Sequence, residues 1–231
     1  MNIKPVAYIY NDFKEKFGIP RQGGKAPSAI SKIVFLPEYR SEEAFRELEG
    51  FSHIWIIFGF SKARFDGSLT VRPPRLGGNR HVGVFASRSP YRPNGIGMSA
   101  VKLLEINRDE KEGTVLLVSG ADLLDKTPIY DIKPYLPYCD RIGDARGGYT
   151  EEYGDHRLSV DFPAELKTGI GETELKAICE CLSEDPRPSY QNDSDRIYGM
   201  RYGNYNIRFC VDGSKLTVKS VERIGNAGKG E

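Results

Sequence analysis

Along the first 120 residues, apolar and polar positions alternate in short runs rather than in helical repeats. Pro5 to Tyr10 is a short β-rich run. Ala29 to Leu36 sets Ile30, Ile33 and Phe35 among polar neighbours and stops at Pro37, the pattern of a half-buried strand. Phe51 to Phe60 reads as a buried strand, and Val82 to Ala86, Ser99 to Ile106 and Thr114 to Ser119 complete the set. Polar Arg108 to Gly113 predicts a hairpin turn. One stretch, Glu42 to Glu49, reads as helix. Ser41 is placed to cap it, and Glu42 and Glu43 suit the positive end of its dipole.

The pattern changes after Pro137. Asp140 to Gly154 is polar and glycine-rich, which reads as a linker or exposed loop. Leu158 to Phe162 predicts a strand. Gly171 to Glu184 predicts a helix, with Leu175, Ile178 and Leu182 at helical spacing, stopped by Asp185-Pro186-Arg187-Pro188. Tyr205 to Val211 and Lys215 to Val221 alternate around Asp212-Gly213, a hairpin signal. The segment from Asn226 is expected to be disordered. Many short strands and few helices predict a mainly β protein: a small N-terminal β-barrel over residues 1–140 and a smaller α+β domain over 155–225. Neither a βαβ alternation nor a G-x-G-x-x-G between strand and helix occurs, so the sequence argument for a Rossmann fold fails.

Charge and composition narrow the function classes. The chain carries 33 basic and 32 acidic residues in 231, so any nucleic-acid surface has to be a local patch. The longest apolar run, Ile54 to Phe60, is far short of the roughly 20 residues of a membrane span. Met1 to Tyr10 lacks the features of a secretory signal. We expect a soluble cytoplasmic protein with no membrane partner. The four cysteines form no C-x-x-C pair and suggest reduced thiols rather than a metal site. His53, His81 and His156 form no triad pattern, and no G-x-S-x-G occurs.

Four segments hold more glycine, proline and arginine than folding needs. The first, Lys14 to Gly24, ends in Arg21-Gln22-Gly23-Gly24, whose glycines let a ligand approach the backbone; alone it also reads as a surface turn. The second, Thr70 to Asn79, fixes Arg72 and Arg75 beside two prolines, as phosphate or carboxylate recognition requires, or as a solvated loop would show. The third, Val84 to Ser99, carries Arg88, Arg92 and Met98. Arg88 and Arg92 suit a carboxylate or phosphates, and Met98 suits either an apolar wall or core packing. The fourth, Ser119 to Tyr135, has three aspartates. Asp122 suits a ribose, an amine or an ammonium, while Asp125 suits a turn. Their spacing is not that of a calcium loop.

These segments resemble the TrmO family, also called YaeB- or TsaA-like. The matching strings are Tyr10 through Gln22, Phe51-Ser52-His53-Ile54-Trp55, Val71 through Asn79, Gly83 through Ser89, Arg92-Pro93-Asn94 with Ile96 through Ser99, and Asp122 through Pro137. Asp185 through Tyr190 and Arg196 through Met200 extend the match into the second region. The resemblance covers nearly the whole chain. It implies an S-adenosylmethionine-dependent tRNA methyltransferase acting on the exocyclic nitrogen of threonylcarbamoyladenosine beside the anticodon. It also implies a homodimer, a donor-binding barrel and a smaller C-terminal domain. By position match the donor site comprises Arg21, Gln22, Gly23, Gly24, Ser61, Lys62, Arg88, Met98, Ser119, Gly120, Ala121, Asp122 and Leu123. Asp122 and Tyr39 are the candidate catalytic groups, and Arg72, Arg75, Asn79 and Arg92 the candidate tRNA contacts. No metal is implied. Where the family pattern reads Arg-Pro-Asn-Pro, this chain has Gly95 in place of the second proline, and the loop Ser61 to Ser68 also departs from it. The alternatives are a module that binds an adenosine-bearing carboxylate without turnover, and a protein-interaction barrel.

Overall fold

The computed structural model describes residues 2–76, 80–152, 156–188, 191 and 193–225. In chain order the first eight strands are β1 (Ala7–Tyr10), β2 (Ile30–Phe35), β3 (His53–Gly59), β4 (Thr70–Val71), β5 (Val82–Gly83), β6 (Ile96–Asp109), β7 (Gly113–Ser119) and β8 (Pro128–Pro134). A short helix α1 (Pro137–Asp140) leads into the second half. There β9 (Ser159–Asp161), α2 (Glu172–Ser183), β10 (Tyr198–Tyr202), β11 (Tyr205–Asp212) and β12 (Lys215–Arg223) follow.

Six strands close into a barrel in the order β1-β2-β7-β6-β3-β8, every neighbouring pair antiparallel. Closure gives every strand of the barrel a neighbour on both sides. Alternation decides what lies inside: Ile9, Ile33, Ile54, Ile56, Leu116 and Ile129 point inward and are fully buried. The second unit is a four-stranded sheet, β10-β11-β12-β9, with β9 parallel to β12. Helix α2 buries Ala177, Ile178, Cys181 and Leu182 in the same core as Ile207 and Phe209. The Gly171 N–H donates to the Glu174 carboxylate and caps α2.

The connection from β1 to β2 belongs to both units. It starts and ends in the barrel, yet Phe13, Ala26 and Ala29 are buried in the second core, with Phe17 and Ile19 packed against it. Phe13 meets Tyr202 edge-on at 5.6 Å. The Ser28 N–H and hydroxyl both donate to the Glu180 carboxylate of α2, at 2.7 and 2.8 Å.

The structure is mainly β, as the alternation implies, but some elements differ. Residues 42–49 form no α-helix. They make two 3₁₀ turns, Glu42–Phe45 and Leu48–Gly50, separated by Glu47 at φ +68°, and Ser41 makes no side-chain cap. The reason is burial: Phe45, edge-on to Phe35 at 4.7 Å, is the only fully buried residue of the stretch, too little to hold a helix among so many charges. Residues 84–86 turn instead of extending β5. β6 starts at Ile96, earlier than its polar lead-in suggests, and β8 and β10 are strands absent from the sequence reading.

Candidate active site

Strand direction alone sorts the connections. In an antiparallel barrel of this order, residues 11–29, 60–95 and 120–127 all emerge at one rim. The described residues of the first three glycine- and arginine-bearing segments, and the 120–127 part of the fourth, therefore share one end of the barrel.

Hydrogen bonds sew two of these connections together. Asn11 donates its side-chain amide to the Leu123 carbonyl at 2.8 Å, and its backbone N–H donates to Asp125 at 3.0 Å. Lys14 pairs with Asp125 at 2.9 Å. Further on, the Gly24 N–H donates to the Gly120 carbonyl at 2.7 Å, and the Gly120 N–H to the Ala29 carbonyl at 3.1 Å.

Asp122 stands where these contacts converge. β6 outruns β7 at this rim, so its residues Ile96 to Val101 have no β7 partner. The 21–24 loop lies there instead: a Cβ on Gly23 would come 3.1 Å from the Ala100 carbonyl oxygen. Ser99 is an inward residue of β6, paired with Ile56. Its hydroxyl donates to Asp122 Oδ1 at 2.6 Å. The Gly23 N–H also donates to this carboxylate, and the Arg88 guanidinium faces it. Burial raises the Asp122 pKa above the ordinary carboxylate range, against the opposing pull of Ser99, the backbone N–H groups and Arg88. Arg88 in turn donates to the Gln22 side-chain oxygen.

The other sequence candidates fall into distinct places. Arg21 joins the site to the second unit, because its guanidinium donates to the Arg187 carbonyl at 2.8 Å. Ser61 and Lys62 lie in the exposed turn after β3, where Lys16 donates to the Lys62 carbonyl at 2.7 Å. Ala121 and Leu123 pack into the barrel core, so their backbone and not their side chains faces the rim. Ser119 is buried at the end of β7. Met98 neighbours Ser99 but points to the opposite, outer face of β6 and is 57% exposed.

Arg72 donates its Nε to His81 at 2.8 Å on the β4–β5 ribbon, and Arg92 donates to the Ser87 carbonyl at 3.1 Å. Arg75 contributes its backbone to the Pro74–Leu76 turn, and Asn79 lies outside the described residues. Tyr39 is not brought to Asp122 within the chain. It sits in the Pro37–Tyr39 turn between β2 and β3, on the opposite rim. The two candidate catalytic groups thus lie at opposite rims of one chain. Ser99 joins the site although the resemblance assigns it no role. Its signal was a serine at an inward position among Phe58, Val101 and Leu103.

No described helix is long and apolar enough to cross a membrane, and no group of three metal-capable side chains occurs among the described residues.

Against this geometry the comparisons with known proteins are consistent. A tRNA (adenine(37)-N6)-methyltransferase of Escherichia coli strain K12 is 38% identical over 226 residues, covering 94% of this chain and 96% of that protein. A putative S-adenosylmethionine-dependent methyltransferase, RcsF, of Pseudomonas aeruginosa is 41% identical over 220 residues, covering 90% and 91%. A crystal structure of TrmO from P. aeruginosa superposes with a TM-score of 0.79 at 33% identity, covering 96% of this chain and 97% of that one. Residues 8–141 match the tRNA-methyltransferase O N-terminal domain and residues 155–224 the TrmO C-terminal domain, and on those matches the chain belongs to the TrmO family.

Proposed function

We propose that this protein is an S-adenosylmethionine-dependent tRNA methyltransferase, and that its acceptor is the exocyclic nitrogen of threonylcarbamoyladenosine beside the anticodon. The observation that carries the reading is the Asp122 carboxylate at the barrel rim, held by Ser99 and Gly23 and faced by Arg88. The methyltransferase names of the E. coli and P. aeruginosa relatives support the reaction class.

The residues fit the donor. Gly24 has nothing within 4 Å of where a Cβ would stand, so a ligand reaches this backbone unobstructed. Arg88 offers a fork for the donor carboxylate, and Asp122 offers negative charge toward its sulfonium. When bound, S-adenosylmethionine supplies an electrophilic methyl group on a positively charged sulfur. The chain's part is to hold both reactants in line and to exclude other geometries. As the acceptor nitrogen exchanges its N–H for N–CH₃, the Asp122 carboxylate takes the released proton and becomes neutral. Its raised pKa makes it a better proton acceptor near neutrality than a surface aspartate. Arg72, Arg75, Asn79 and Arg92 are the proposed tRNA contacts, the three arginines toward phosphates.

We also propose a cytoplasmic homodimer. The outer face of β6 and β3 supports it: Met98 lies beside Ile57 and Ala100 beside Trp55, an apolar stripe on the barrel wall. Met98→Glu is then expected to yield monomers by light scattering, and an unchanged dimer mass counts against this wall.

The function is tested with labelled methyl donor and two tRNA pools, with and without the threonylcarbamoyl group. Label entering only the first supports the acceptor. Label entering neither, with donor binding intact, points to a binding module.

A further inference from the structure

We propose that Ser99 is a positioning residue for Asp122: its buried hydroxyl aims the carboxylate at the barrel mouth and keeps it ionised for the proton transfer. This rests on the reading of Asp122 as proton acceptor and adds a residue to it.

The argument starts from the strand. β6 alternates, and its inward positions beyond Ser99 are Val101 and Leu103, both buried. Across the pair, Ser99 faces Ile56, which is fully buried. A serine here is a polar group in an apolar layer, 6% exposed. Such a group costs free energy unless it is hydrogen-bonded. Its one proton goes to Asp122 Oδ1 at 2.6 Å, short enough for a charge-assisted bond. The bond spans two elements, β6 and the 120–127 connection, so it fixes the carboxylate against the barrel frame.

The lone pairs support the same conclusion. A carboxylate offers about four acceptor positions. Ser99, the Gly23 N–H and the Asp122 N–H take three donors' worth, and Arg88 faces the group from the 84–92 segment. The remaining position is the one available to an incoming proton. Among the described residues, Arg88 is the charged group facing this carboxylate from the elements packed on it. Ser99 therefore acts on the ionised side of the balance, opposing the burial that favours the protonated form.

The test is methyl transfer to threonylcarbamoyl tRNA across pH, with donor affinity measured by calorimetry. Ser99→Ala is expected to lower kcat roughly ten-fold and to move the acid limb of kcat/KM to higher pH, with donor affinity near the parent's. Ser99→Cys keeps the shape with a weak donor and is expected to shift the limb the same way, which covers an unfolded alanine variant. Ser99→Thr restores the hydroxyl and is expected to return the limb to the parent position. An acid limb in Ser99→Ala and Ser99→Cys that coincides with the parent's overturns the proposal. Asp122→Asn is run alongside. Full activity in that variant removes the proton-acceptor reading itself, whereas its loss of activity with unshifted Ser99 variants removes only the role given to Ser99.

Discussion

Gly120 and Gly24 are in contact backbone to backbone: a Cβ on Gly120 would come 3.0 Å from the Gly24 Cα, and the two residues adopt φ +77° and +79°. Neither position accepts a side chain without strain, so the approach of the 21–24 loop to the end of β7 depends on both. Gly120→Ala adds a left-handed cost of about 1 kcal/mol or more and pushes the loop off Asp122. We expect donor affinity to fall at least ten-fold by calorimetry. Gly213→Ala, at φ +54° with open space around it, carries comparable strain in the distant β11–β12 turn and leaves donor affinity unchanged.

Asp122→Asn separates stability from activity. A native pKa raised by burial means that the folded state holds the proton more tightly than the unfolded state. Ionised Asp122 therefore costs stability at neutral pH. That cost is present above the raised pKa and disappears below the ordinary carboxylate value. The neutral asparagine removes it, so its melting temperature at pH 7.5 is expected to match or exceed the parent's, with the difference closing in acid. Methyl transfer is expected to fall about a hundred-fold or more. For the parent, activity declines as pH falls through the raised Asp122 pKa, because the ionised form is the base.

The seam between the two units gives a test far from the reacting atoms. Glu180, on α2, accepts two hydrogen bonds from Ser28, in the connection that carries Gly23 and Gly24. Glu180→Ala leaves a backbone donor unsatisfied at a cost of about 1–3 kcal/mol. The expected result is weaker donor binding from a substitution in the second unit, with the β-sheet circular dichroism retained. Unchanged donor affinity means that the loop holds its shape without this anchor.

The barrel was legible where one face is buried. β2, β3, β6 and β7 show their inward residues as alternation, because a half-buried strand repeats every second position. β8 was not: Pro128, Asp131, Lys133 and Pro134 give it the composition of a loop, and its inward Ile129 is fully buried only through the neighbours that close the barrel. β10 carries the alternation too, with Tyr198, Met200 and Tyr202 buried in turn, but over only five residues beside a glycine. At the site, Gly23, Arg88 and Asp122 were identifiable from residue type. Ser99 and the seam were not, since both depend on which strands pair and on β6 outrunning β7.

Gly95 takes φ +56°, which a proline ring cannot adopt, and its N–H donates to the Arg92 carbonyl at 3.1 Å. A proline at this position would therefore need a different turn. Gly95→Pro loses that bond and forces a new turn, in which the Arg92 contact with the Ser87 carbonyl shifts along with Arg88. We expect a higher KM for tRNA, with melting temperature lower by a few degrees, and a parental KM would show that the loop tolerates both shapes.

Arg72 and Arg92 should not respond alike, although both are proposed phosphate contacts. Arg72 is exposed beside the β4–β5 ribbon and touches His81. Its removal is expected to weaken tRNA binding and to lower the slope of log affinity against log salt by about 1, with donor affinity unchanged. Arg92 is half-buried and holds the Ser87 carbonyl, one residue before Arg88. Arg92→Ala is therefore expected to weaken both tRNA and donor, whereas Arg92→Lys, which keeps the charge but not the guanidinium fork, recovers the salt slope more fully than the donor affinity. Filter binding at several salt concentrations, paired with donor calorimetry, separates the two. Equal donor affinity in Arg92→Ala and the parent would mean that the 87–92 turn keeps its shape without this bond, and Arg92 would then act on tRNA alone.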